Sequence, residues 1–363
     1  MKLSTKCAIL ALARSVIAEP IPAPSGKYNV GVRRHVIDYI NKGDPTSPNN
    51  VSTEYLATLY YPTLDEPGPA VPYLEPELAQ QYADVWEFNI SHLTATFRHN
   101  ASFLHKPAGP TLLFGPGGWG PPTDGYGILL SELASRGYVI AAIDHVYEQP
   151  FLRFPNGTGV YGLPLDFPAD FPFVEALHEV RVREQLHFIK HLPKLAKKWG
   201  APFKTHRVGT FGHSLGGSVA LTLALESDKV AAAINLDGTN WNKLNSSAEE
   251  GDLGSTPSLI LGFDGHTDST DPTWTNFAKW QTGWWRLLTV DGTEHLDWSD
   301  ATFWKKWGAT RPMGPIDGRL MANITSTYVK AFFDDKLLGK ETSLLDGDSE
   351  EWPDVNFING GPK

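Results

Sequence analysis

Short apolar runs alternate with stretches of helical periodicity along the chain from residue 110 onwards. Each run is hydrophobic at nearly every position, which is typical of a strand buried on both faces of a parallel sheet. The pattern predicts strands at residues 111–114, 138–143, 207–211, 230–236, 258–263 and 285–290. It predicts helices at residues 126–136, 174–192 (with Pro193 as a stop), 215–226 and 319–338. We therefore expect an α/β fold with a mostly parallel central sheet and helices on both faces.

The first part of the chain has a different pattern. Residues 30–40 and 53–61 are rich in β-branched and aromatic side chains and predict two early strands. Five prolines between residues 62 and 76 predict a loop, and residues 77–100 predict a partly helical segment. The Pro-rich residues 19–30 predict a loose arm.

A Phe-rich insert interrupts the alternation at about residues 150–175. Phe151–Phe173 contains five phenylalanines among prolines and glycines. Exposing all five would be unfavourable, so the insert is predicted to form a lid or a wall that meets an acyl chain or a lipid interface. The residues predicted to face inward or toward a substrate are Leu163, Leu165, Phe167, Phe171 and Phe173. No internal repeat is found, so residues 19–363 predict a single domain that carries this insert.

Residues 1–18 have the pattern of a secretory signal peptide. Lys2 and Lys6 give a positive start, the residues that follow are mostly apolar, and small residues before Glu19 suit cleavage. Arg14 interrupts the apolar run, and a disordered N-terminal arm is the alternative interpretation. A signal peptide predicts a secreted, extracellular protein.

Six glycosylation sequons agree with export. Each begins Asn-X-Ser/Thr with X not proline, at Asn50, Asn89, Asn100, Asn156, Asn245 and Asn323. A glycoprotein is therefore predicted. Cys7 is the only cysteine and lies inside the predicted signal peptide, so the mature chain would have neither a disulfide nor a thiol nucleophile.

The charge balance argues against nucleic acid as a partner. The chain has 31 basic and 41 acidic residues, which gives a formal net charge of −10, and its Lys and Arg residues form no cluster. Binding to nucleic-acid phosphates needs a basic surface. We therefore expect no nucleic-acid partner.

A glycine-rich loop, GPGGWG at residues 115–120, follows the strand predicted at 111–114. Its spacing fits the G-x-G-x-x-G pattern of dinucleotide sites, and Asp144 ends the next strand as a ribose-binding acid would. However, Pro121 and Pro122 stand where phosphate-binding amides are needed, and two strands precede a motif that usually opens its fold. The dinucleotide interpretation is therefore disfavoured, and a turn that packs a strand on a helix is the simpler alternative.

The sequence GHSLG at residues 212–216 fits the G-x-S-x-G nucleophile elbow, with an apolar strand before it and a helix of small residues after it. The elbow holds its serine on a sharp, strained turn, and its glycines are needed because a Cβ there would strike the neighbouring strand or helix. The N-terminus of the following helix favours an oxyanion. Ser214 is therefore the candidate nucleophile, and its hydroxyl needs a base and an orienting acid.

The acid and the histidine are sought after the serine, because that is their order in folds with such an elbow. His295 lies in a polar turn after the strand at 285–290 and is the preferred base, with His266 as the alternative. Asp237 and Asp264 each end a strand and precede a glycine, so either is a candidate acid. One of the two is expected to be an ordinary turn residue.

No metal site is predicted. His187 and His191 are spaced i, i+4 on the helix at 174–192, but no H-E-x-x-H motif is present, so a packed or solvated face is expected. Serine-based ester chemistry needs neither a metal nor an organic cofactor.

The ordered set of motifs resembles the plasma-type platelet-activating factor acetylhydrolase family and its secreted microbial relatives. Similar stretches occur between residues 51 and 338, in LATLYYP, PGGWG, SELASRGYVIAAIDH, HEVRVREQLHFI, GHSLGGSVA, INLDGT and GTEHLDWSD. The elbow alone is generic, whereas the ordered set is fairly specific. The resemblance implies an α/β-hydrolase fold and a secreted serine esterase that works through a Ser-His-Asp triad.

The resemblance also implies roles for individual residues. Ser214 would be the nucleophile, His295 the base and Asp237 the acid, because the family's acid follows the strand after the elbow. The backbone amides of Trp119 and Leu215 would form the oxyanion hole. The implied substrates are small-molecule or lipid esters with a short acyl group, such as the sn-2 acetyl group of ether phospholipids.

The chain departs from the family at several points. Gly117 stands where animal members begin the oxyanion loop with histidine, and neither the Phe-rich insert nor the seven tryptophans of residues 274–307 match the lipoprotein-bound members. The tryptophans predict core packing, with an aromatic cleft as the alternative. Two other functions stay open: a broad carboxylesterase or cutinase-like polyester hydrolase, and a non-catalytic binding protein with a hydrolase fold.

Overall fold

The computed structural model describes residues 18–362 except residues 108, 247 and 248. The predicted signal peptide therefore lies, apart from Ala18, outside the described residues. The strands are β1 (Glu19–Pro20), β2 (Asn29–Lys42), β3 (Val51–Thr63), β4 (Val71–Pro72), β5 (Leu93–Ala95), β6 (Arg98–His99), β7 (Thr111–Gly115), β8 (Val139–Asp144), β9 (Phe151–Arg153), β10 (Gly159–Tyr161), β11 (Val208–His213), β12 (Val230–Leu236), β13 (Ser258–Phe263), β14 (Trp285–Val290) and β15 (Val355–Gly360). The α-helices are α1 (Pro76–Trp86), α2 (Gly127–Ser135), α3 (Phe171–Trp199), α4 (Leu215–Glu226), α5 (Pro272–Trp280), α6 (Ala301–Trp304) and α7 (Gly318–Leu338).

Ten of the strands form one sheet, in the order β15-β14-β13-β12-β11-β7-β8-β3-β2-β6. The six central strands, from β14 to β8, run parallel to one another. On one side β3 pairs antiparallel with β8 and β2 pairs antiparallel with β3, and on the other side β15 pairs antiparallel with β14. The predicted parallel sheet is therefore present, and the unpredicted strand β15 closes its far side.

Helices cover both faces of this sheet. On one face, α2 and α7 pack with Leu112, Phe211 and Ile234 of the strands. On the other face, α3, α4 and α5 pack with Leu113 and Ile260. Alternate strand residues thus enter two separate cores, which explains why the central strands are apolar at almost every position. Among the helices in residues 18–362, none combines the length and the apolarity that a bilayer-spanning segment needs.

Two predictions about local structure are wrong. Helix α3 continues through Pro193 to Trp199, because Leu192 and Ala196 remain buried and their packing outweighs the one backbone hydrogen bond that proline cannot make. The predicted loose arm is in fact attached at its start. The Glu19 amide donates to the His92 carbonyl at 3.1 Å, and Ile21 is buried.

The sheet brings the candidate residues to one edge. The carboxyl ends of parallel strands meet at the same edge, so the loops after β7, β8, β11, β12, β13 and β14 lie side by side. The Phe-rich insert follows β8 at this edge. It begins with the β9–β10 hairpin, continues through residues 162–170 without regular structure, and then enters α3.

Candidate active site

Ser214 lies on a strained turn between β11 and α4. Its φ is 54° and its ψ is −124°, a conformation that a non-glycine residue rarely adopts. The Ser214 amide donates to the Leu236 carbonyl at 2.8 Å, which fixes the turn against β12. The side chain therefore stands at the carboxyl edge of the sheet, as the G-x-S-x-G sequence predicts.

The elbow glycines are required by the close approach of neighbouring backbone. A Cβ on Gly212 would lie 2.4 Å from the Gly216 carbonyl oxygen, and one on Gly216 would lie 2.2 Å from the Gly115 carbonyl oxygen. These distances are far shorter than any van der Waals contact. Any other residue at these two positions would push the elbow away from β7 and displace Ser214.

Ser214, His295 and Asp237 form one hydrogen-bonded chain. His295 Nε2 is 2.9 Å from Ser214 Oγ, and His295 Nδ1 is 2.5 Å from Asp237 Oδ2. With the Nδ1 hydrogen donated to the carboxylate, Nε2 has a free lone pair that accepts the serine hydroxyl hydrogen. The structure thus brings together all three residues that the sequence nominated as nucleophile, base and acid.

Asp237 accepts hydrogen bonds on both oxygens. Oδ2 accepts from His295, while Oδ1 accepts from the Phe263 amide at 3.0 Å and from His266 Nδ1 at 2.6 Å. Burial opposes ionisation of Asp237, but the hydrogen bonds from the two histidines outweigh it and hold the pKa of Asp237 below its ordinary value. The carboxylate is therefore ionised and held in one orientation.

The other candidate acid has a different role. Asp264 Oδ2 accepts from the Gly292 amide at 3.1 Å, and the Asp264 amide donates to Thr293 Oγ1 at 3.2 Å. No hydrogen bond from Asp264 to His295 or His266 occurs in the described part of the chain. Asp264 thus ties two turns together, as an ordinary turn residue does.

The loop that carries His295 is held by the buried carboxylate of Asp297. Asp297 accepts from the Glu294 amide at 2.9 Å and from the Gly314 amide at 2.7 Å, and Lys305 Nζ lies 2.8 Å from it. From the elbow side, His213 Nε2 is 2.9 Å from the His295 carbonyl oxygen. The position of the imidazole is therefore fixed by contacts from two directions.

His213 also connects this loop to the glycine-rich loop at residues 115–120. Its Nδ1 is 2.8 Å from the Tyr126 hydroxyl, and that hydroxyl accepts from the Gly117 amide at 3.0 Å. Burial lowers the pKa of His213 to about 3, so its ring is neutral. A neutral ring accepts from Tyr126 at Nδ1 and donates from Nε2 to the His295 carbonyl. One ring nitrogen of His213 lies within 4.8 Å of a His295 ring nitrogen and of an Asp237 carboxylate oxygen, a spacing that a metal ion could bridge. Both nitrogens of His213 already have the partners just described.

A buried ion pair fixes the glycine-rich loop from below. The guanidinium of Arg181, on α3, donates to the carbonyl oxygens of Pro116 and Gly117 and to both carboxylate oxygens of Glu148, at 2.5–2.9 Å. Both side chains are almost completely buried. Because the guanidinium is planar and has five hydrogens, it can bind two carbonyls and one carboxylate at once. The loop is therefore held in one conformation.

The Trp119 amide has a different position from the one that the resemblance implied. It donates to Glu148 Oε1 at 3.0 Å, so it points toward the buried ion pair. The Gly117 amide is also occupied, by Tyr126. Among the described residues, the Gly118 amide between them has no hydrogen-bond partner, and a Cβ on Gly118 would contact Leu215 at 3.6 Å. The loop amides without a partner among the described residues are those of Gly118 and Gly120, and of these two residues only Gly118 lies against Leu215.

Leu215 follows Ser214 directly, as the role implied by the resemblance requires. It is the first residue of α4, and a helix leaves its first N–H groups without an intrahelical acceptor. Gly118 of the glycine-rich loop lies against Leu215, at the positive end of this helix dipole.

A cleft of about 660 Å³ opens above Ser214. Its volume is in the usual range of small-molecule sites, about 300–1,000 Å³. Apolar and aromatic side chains form most of its walls, namely Trp86, Trp119, Leu165, Phe167, Trp241 and Phe263. Arg311 and Asp166 add charges at the wall. The cleft thus suits a small molecule with an apolar or aromatic part.

The Phe-rich insert forms one wall of this cleft. Leu165 is buried, and Phe167 contacts the ring of Trp119 edge-on and the ring of Phe173. Phe171, in contrast, is 76% exposed, so it does not face inward. It begins α3 beside Trp241, which lines the cleft, and the other half of the prediction, that Phe171 faces a substrate, stays a prediction.

Most tryptophans of residues 274–307 pack in or against the core. Trp274, Trp285, Trp298 and Trp304 are buried, and Trp284 and Trp307 pack against the buried clusters. The core-packing interpretation is therefore correct for six of the seven, and none of the seven lines the cleft.

The histidine pair His187 and His191 and the candidate ribose-binding acid Asp144 all have structural partners. His187 Nδ1 is 2.9 Å from the Tyr55 hydroxyl, and His191 Nδ1 is 2.9 Å from the His187 carbonyl, which is a packed helix face. Asp144 accepts from Thr123, and burial raises the pKa of Asp144 to about 7. Asp144 thus holds the loop after β7 to β8, as expected for a packing turn.

Solved structures with this architecture include a close match. The ferulic acid esterase from Streptomyces cinnamoneus superposes with a TM-score of 0.80 and 26% sequence identity, over 94% of this chain and 100% of that chain. The fold is the α/β-hydrolase fold. The sequence prediction of this fold, with a mostly parallel central sheet and helices on both faces, is confirmed.

Sequence comparison gives a second similarity to an esterase. Over 267 residues, the chain is 27% identical to a protein of Arthroderma benhamiae named "probable 1-alkyl-2-acetylglycerophosphocholine esterase". The match covers 69% of this chain and 66% of that protein, slightly less than two thirds of its length. No family model matches the chain. The resemblance found in the sequence motifs is confirmed, and both similarities support a carboxylic ester hydrolase.

Sequence reasoning missed the roles of four residues that shape this site, Tyr126, Glu148, Arg181 and His213. It considered His266 only as an alternative base. A signal was present for some of the four. Glu148 lies four residues after the end of the apolar strand β8, and Arg181 adjoins Val182 among the buried residues of α3, where an unpaired charge would be costly. The pairing partners were not visible, because 33 residues separate Glu148 from Arg181.

Proposed function

We propose that the protein is a secreted serine esterase with Ser214 as nucleophile, His295 as general base and acid, and Asp237 as the orienting carboxylate. The observation that carries the proposal is the hydrogen-bonded chain from Ser214 Oγ through His295 to Asp237, at 2.9 and 2.5 Å. The chain lies on a nucleophile elbow beside a cleft, which is the arrangement that acyl transfer through a serine requires.

The reaction follows from this geometry in two halves. Ser214 Oγ attacks the ester carbonyl carbon while its proton moves to His295 Nε2. The tetrahedral intermediate collapses, the bond to the alcohol breaks, and the alcohol takes the proton from His295. Water then attacks the acyl-enzyme, with His295 accepting its proton, and the acid leaves as Ser214 is restored.

The oxyanion of each intermediate would be stabilised by two backbone amides. We assign the Gly118 and Leu215 N–H groups to this role in place of the pair Trp119 and Leu215. The free Gly118 amide beside Leu215 supports this assignment, and the hydrogen bond from Trp119 to Glu148 argues against Trp119.

The favoured substrate is an ester with a short acyl group, such as the acetyl ester of an ether phospholipid. This assignment is supported by the name of the Arthroderma benhamiae relative. The exposed Phe171 beside Trp241, at the start of α3, would provide an apolar contact for a lipid interface.

A second substrate class is supported by the cleft itself. Trp119, Phe167 and Trp241 offer aromatic faces beside Ser214, and the similar solved structure is a ferulic acid esterase. Aromatic rings prefer stacked or edge-on contact with such walls. An ester of a hydroxycinnamic acid is therefore the alternative substrate.

A panel of esters separates these substrates. The values of kcat/KM would be compared for p-nitrophenyl acetate, butyrate and octanoate, methyl ferulate, an acetylated ether phospholipid and a polyester film. Preference for acetyl esters supports the first assignment, and preference for methyl ferulate supports the second. Failure to hydrolyse any ester would leave the non-catalytic binding protein as the conclusion.

Export and glycosylation belong to the same proposal. The asparagines of all six sequons are exposed, and the 660 Å³ cleft is lined by none of them. Expression with the native N-terminus in a secreting host should release the protein into the culture medium. Its first residue should lie near Glu19, and its apparent mass should fall on endoglycosidase treatment. An intracellular protein of unchanged mass would contradict this part.

The hydrogen bonds of Arg181 to the Pro116 and Gly117 carbonyls and to Glu148 predict a specific kinetic defect. Arg181→Lys keeps the charge but cannot bind both loop carbonyls and Glu148 together. The loop amide would then be less well placed for the oxyanion, so kcat should fall by about 10–100-fold with KM changed less than about threefold. Steady-state kinetics on the best ester of the panel would measure both constants.

Arg183→Lys is the matched control for this variant. Arg183 lies on the same helix, where it is partly exposed and contacts Asn41 and the Lys42 carbonyl. Its replacement should leave kcat within about twofold. Equal losses of kcat in both variants would mean that the rate depends on the helix as a whole and not on the hydrogen bonds of Arg181.

Phe167 is expected to limit the length of the acyl chain that the cleft accepts. Phe167→Ser would remove the ring that faces Trp119 and open the wall of the cleft, so the ratio of kcat/KM for octanoate to that for acetate should rise about tenfold. The control is Leu64→Ser, at an exposed position outside the cleft lining. An unchanged ratio together with a large fall in Tm would show that Phe167 serves only in packing.

A further inference from the structure

A second histidine is bonded to the carboxylate of Asp237. His266 Nδ1 is 2.6 Å from Asp237 Oδ1, and His266 Nε2 is 3.0 Å from Asp271 Oδ2. Carboxylate oxygens only accept hydrogen bonds, so a hydrogen is needed on each ring nitrogen. An imidazole with two such partners is an imidazolium, which carries a full positive charge between two negative ones.

The ring is held from three sides. It stacks on Trp274 with the ring centroids 3.8 Å apart and the planes at 13°, and the Trp274 indole donates to the Gly238 carbonyl at 2.8 Å. Asp271 is held in turn by the Thr273 amide at 2.7 Å and by Thr239 Oγ1 at 3.0 Å. Little freedom remains for His266 to rotate away from Asp237.

The charged groups around His266 favour its protonated form. Burial disfavours the charge, but the hydrogen bonds and charges of Asp237 and Asp271 outweigh it and raise the pKa of His266 to about 9. The other packed neighbours are the uncharged rings of Trp274 on α5 and Phe263 on β13. His266 therefore keeps its charge throughout the neutral pH range.

We propose that His266 is a positioning residue of the triad, which as an imidazolium holds Asp237 in place and makes it harder to protonate His295. This inference rests on the proposed function, because it concerns the base of that same site. Two cations that share one carboxylate repel each other, so the charge on His266 opposes a proton on His295. We therefore expect the charge on His266 to extend kcat/KM to lower pH than the same site would allow without that charge.

The kinetic test uses two variants that remove the charge in different ways. His266→Asn keeps a neutral donor near the position of Nδ1. Asp271→Asn keeps His266 but allows it to become neutral, and asparagine still caps the start of α5. In both variants the midpoint of the acidic limb of kcat/KM should move up by about 0.5–1 pH unit.

The control for these variants is His206→Gln. His206 is exposed and lies just before β11, at the opposite end of the strand that leads to Ser214. Its replacement should leave the pH profile unchanged. An acidic limb that stays in place in both His266→Asn and Asp271→Asn, with only the plateau lowered, would overturn the proposal and leave His266 a structural role.

A spectroscopic measurement on the wild-type protein tests the charge on His266. The result does not depend on the catalytic activity of any variant. ¹⁵N NMR of the wild-type protein, labelled at histidine, should show both His266 nitrogens protonated at pH 8. His266→Asn or Asp271→Asn identifies the signals. A neutral tautomer at pH 8 would overturn the proposal. Failure of the wild-type protein to hydrolyse any ester would instead overturn the proposed function, and the NMR result would still decide the charge on His266.

Discussion

Replacement of Ser214 by alanine is expected to lower kcat by at least about 10³-fold and to abolish labelling by a fluorophosphonate probe. The side chain is the only nucleophile within 2.9 Å of His295 Nε2 in the described structure, and alanine removes its oxygen without adding atoms. The turn itself is held by backbone contacts, so the variant should remain folded. Activity and probe labelling would be measured on the same preparation.

Ser227→Ala is a matched control for Ser214→Ala. Ser227 caps the other end of α4, and its hydroxyl accepts only a weak hydrogen bond from the Lys229 amide at 3.4 Å. This variant should keep full labelling and near-normal kcat. Full labelling of Ser214→Ala would show that the nucleophile is another residue.

Replacement of Asp237 by asparagine is expected to lower kcat by about 10⁴-fold. Oδ1 accepts from two donors, His266 and the Phe263 amide, so the single oxygen of an asparagine side chain would remain on that side. The NH₂ group would then face His295 Nδ1 and force the hydrogen onto Nε2. In that tautomer His295 has no lone pair for the proton of Ser214.

Asp264→Asn provides the comparison, because Asp264 was the other candidate acid. It accepts from the Gly292 amide at 3.1 Å and touches neither histidine, so its replacement should lower kcat less than about tenfold. Steady-state kinetics of both variants at the pH optimum would rank them. The reverse ranking would mean that His295 is oriented by a different carboxylate from the one beside it here.

The periodic parts of the chain were predictable because burial determines them. Residues 230–236, 258–263 and 285–290 are strands with the bounds that their apolar runs predicted. The serine elbow was predictable for a similar reason, since steric crowding at Gly212 and Gly216 leaves a strong sequence pattern. These features depend on neighbours within a few residues or on burial alone.

The direction of the loop amides was not predictable in this way. Whether Gly118 or Trp119 presents a free N–H depends on Glu148 and Arg181, which lie 29 and 62 residues beyond Trp119 in the chain. The second bond of Asp237 to His266 likewise depends on contacts between three different loops. Such polar contacts across long separations leave no periodicity in the sequence, so only the folded structure reveals them.

Residues 162–170 give the fold room for evolutionary change. They supply Leu165 and Phe167 to the substrate wall, yet they belong to no strand or helix, and Ser214, Asp237 and His295 all lie on other loops. Substitutions in this short stretch would therefore alter which acyl groups are accepted. They would leave Ser214, Asp237 and His295 and their hydrogen bonds unchanged. A directed-evolution library aimed at new esters would best be confined to these nine positions.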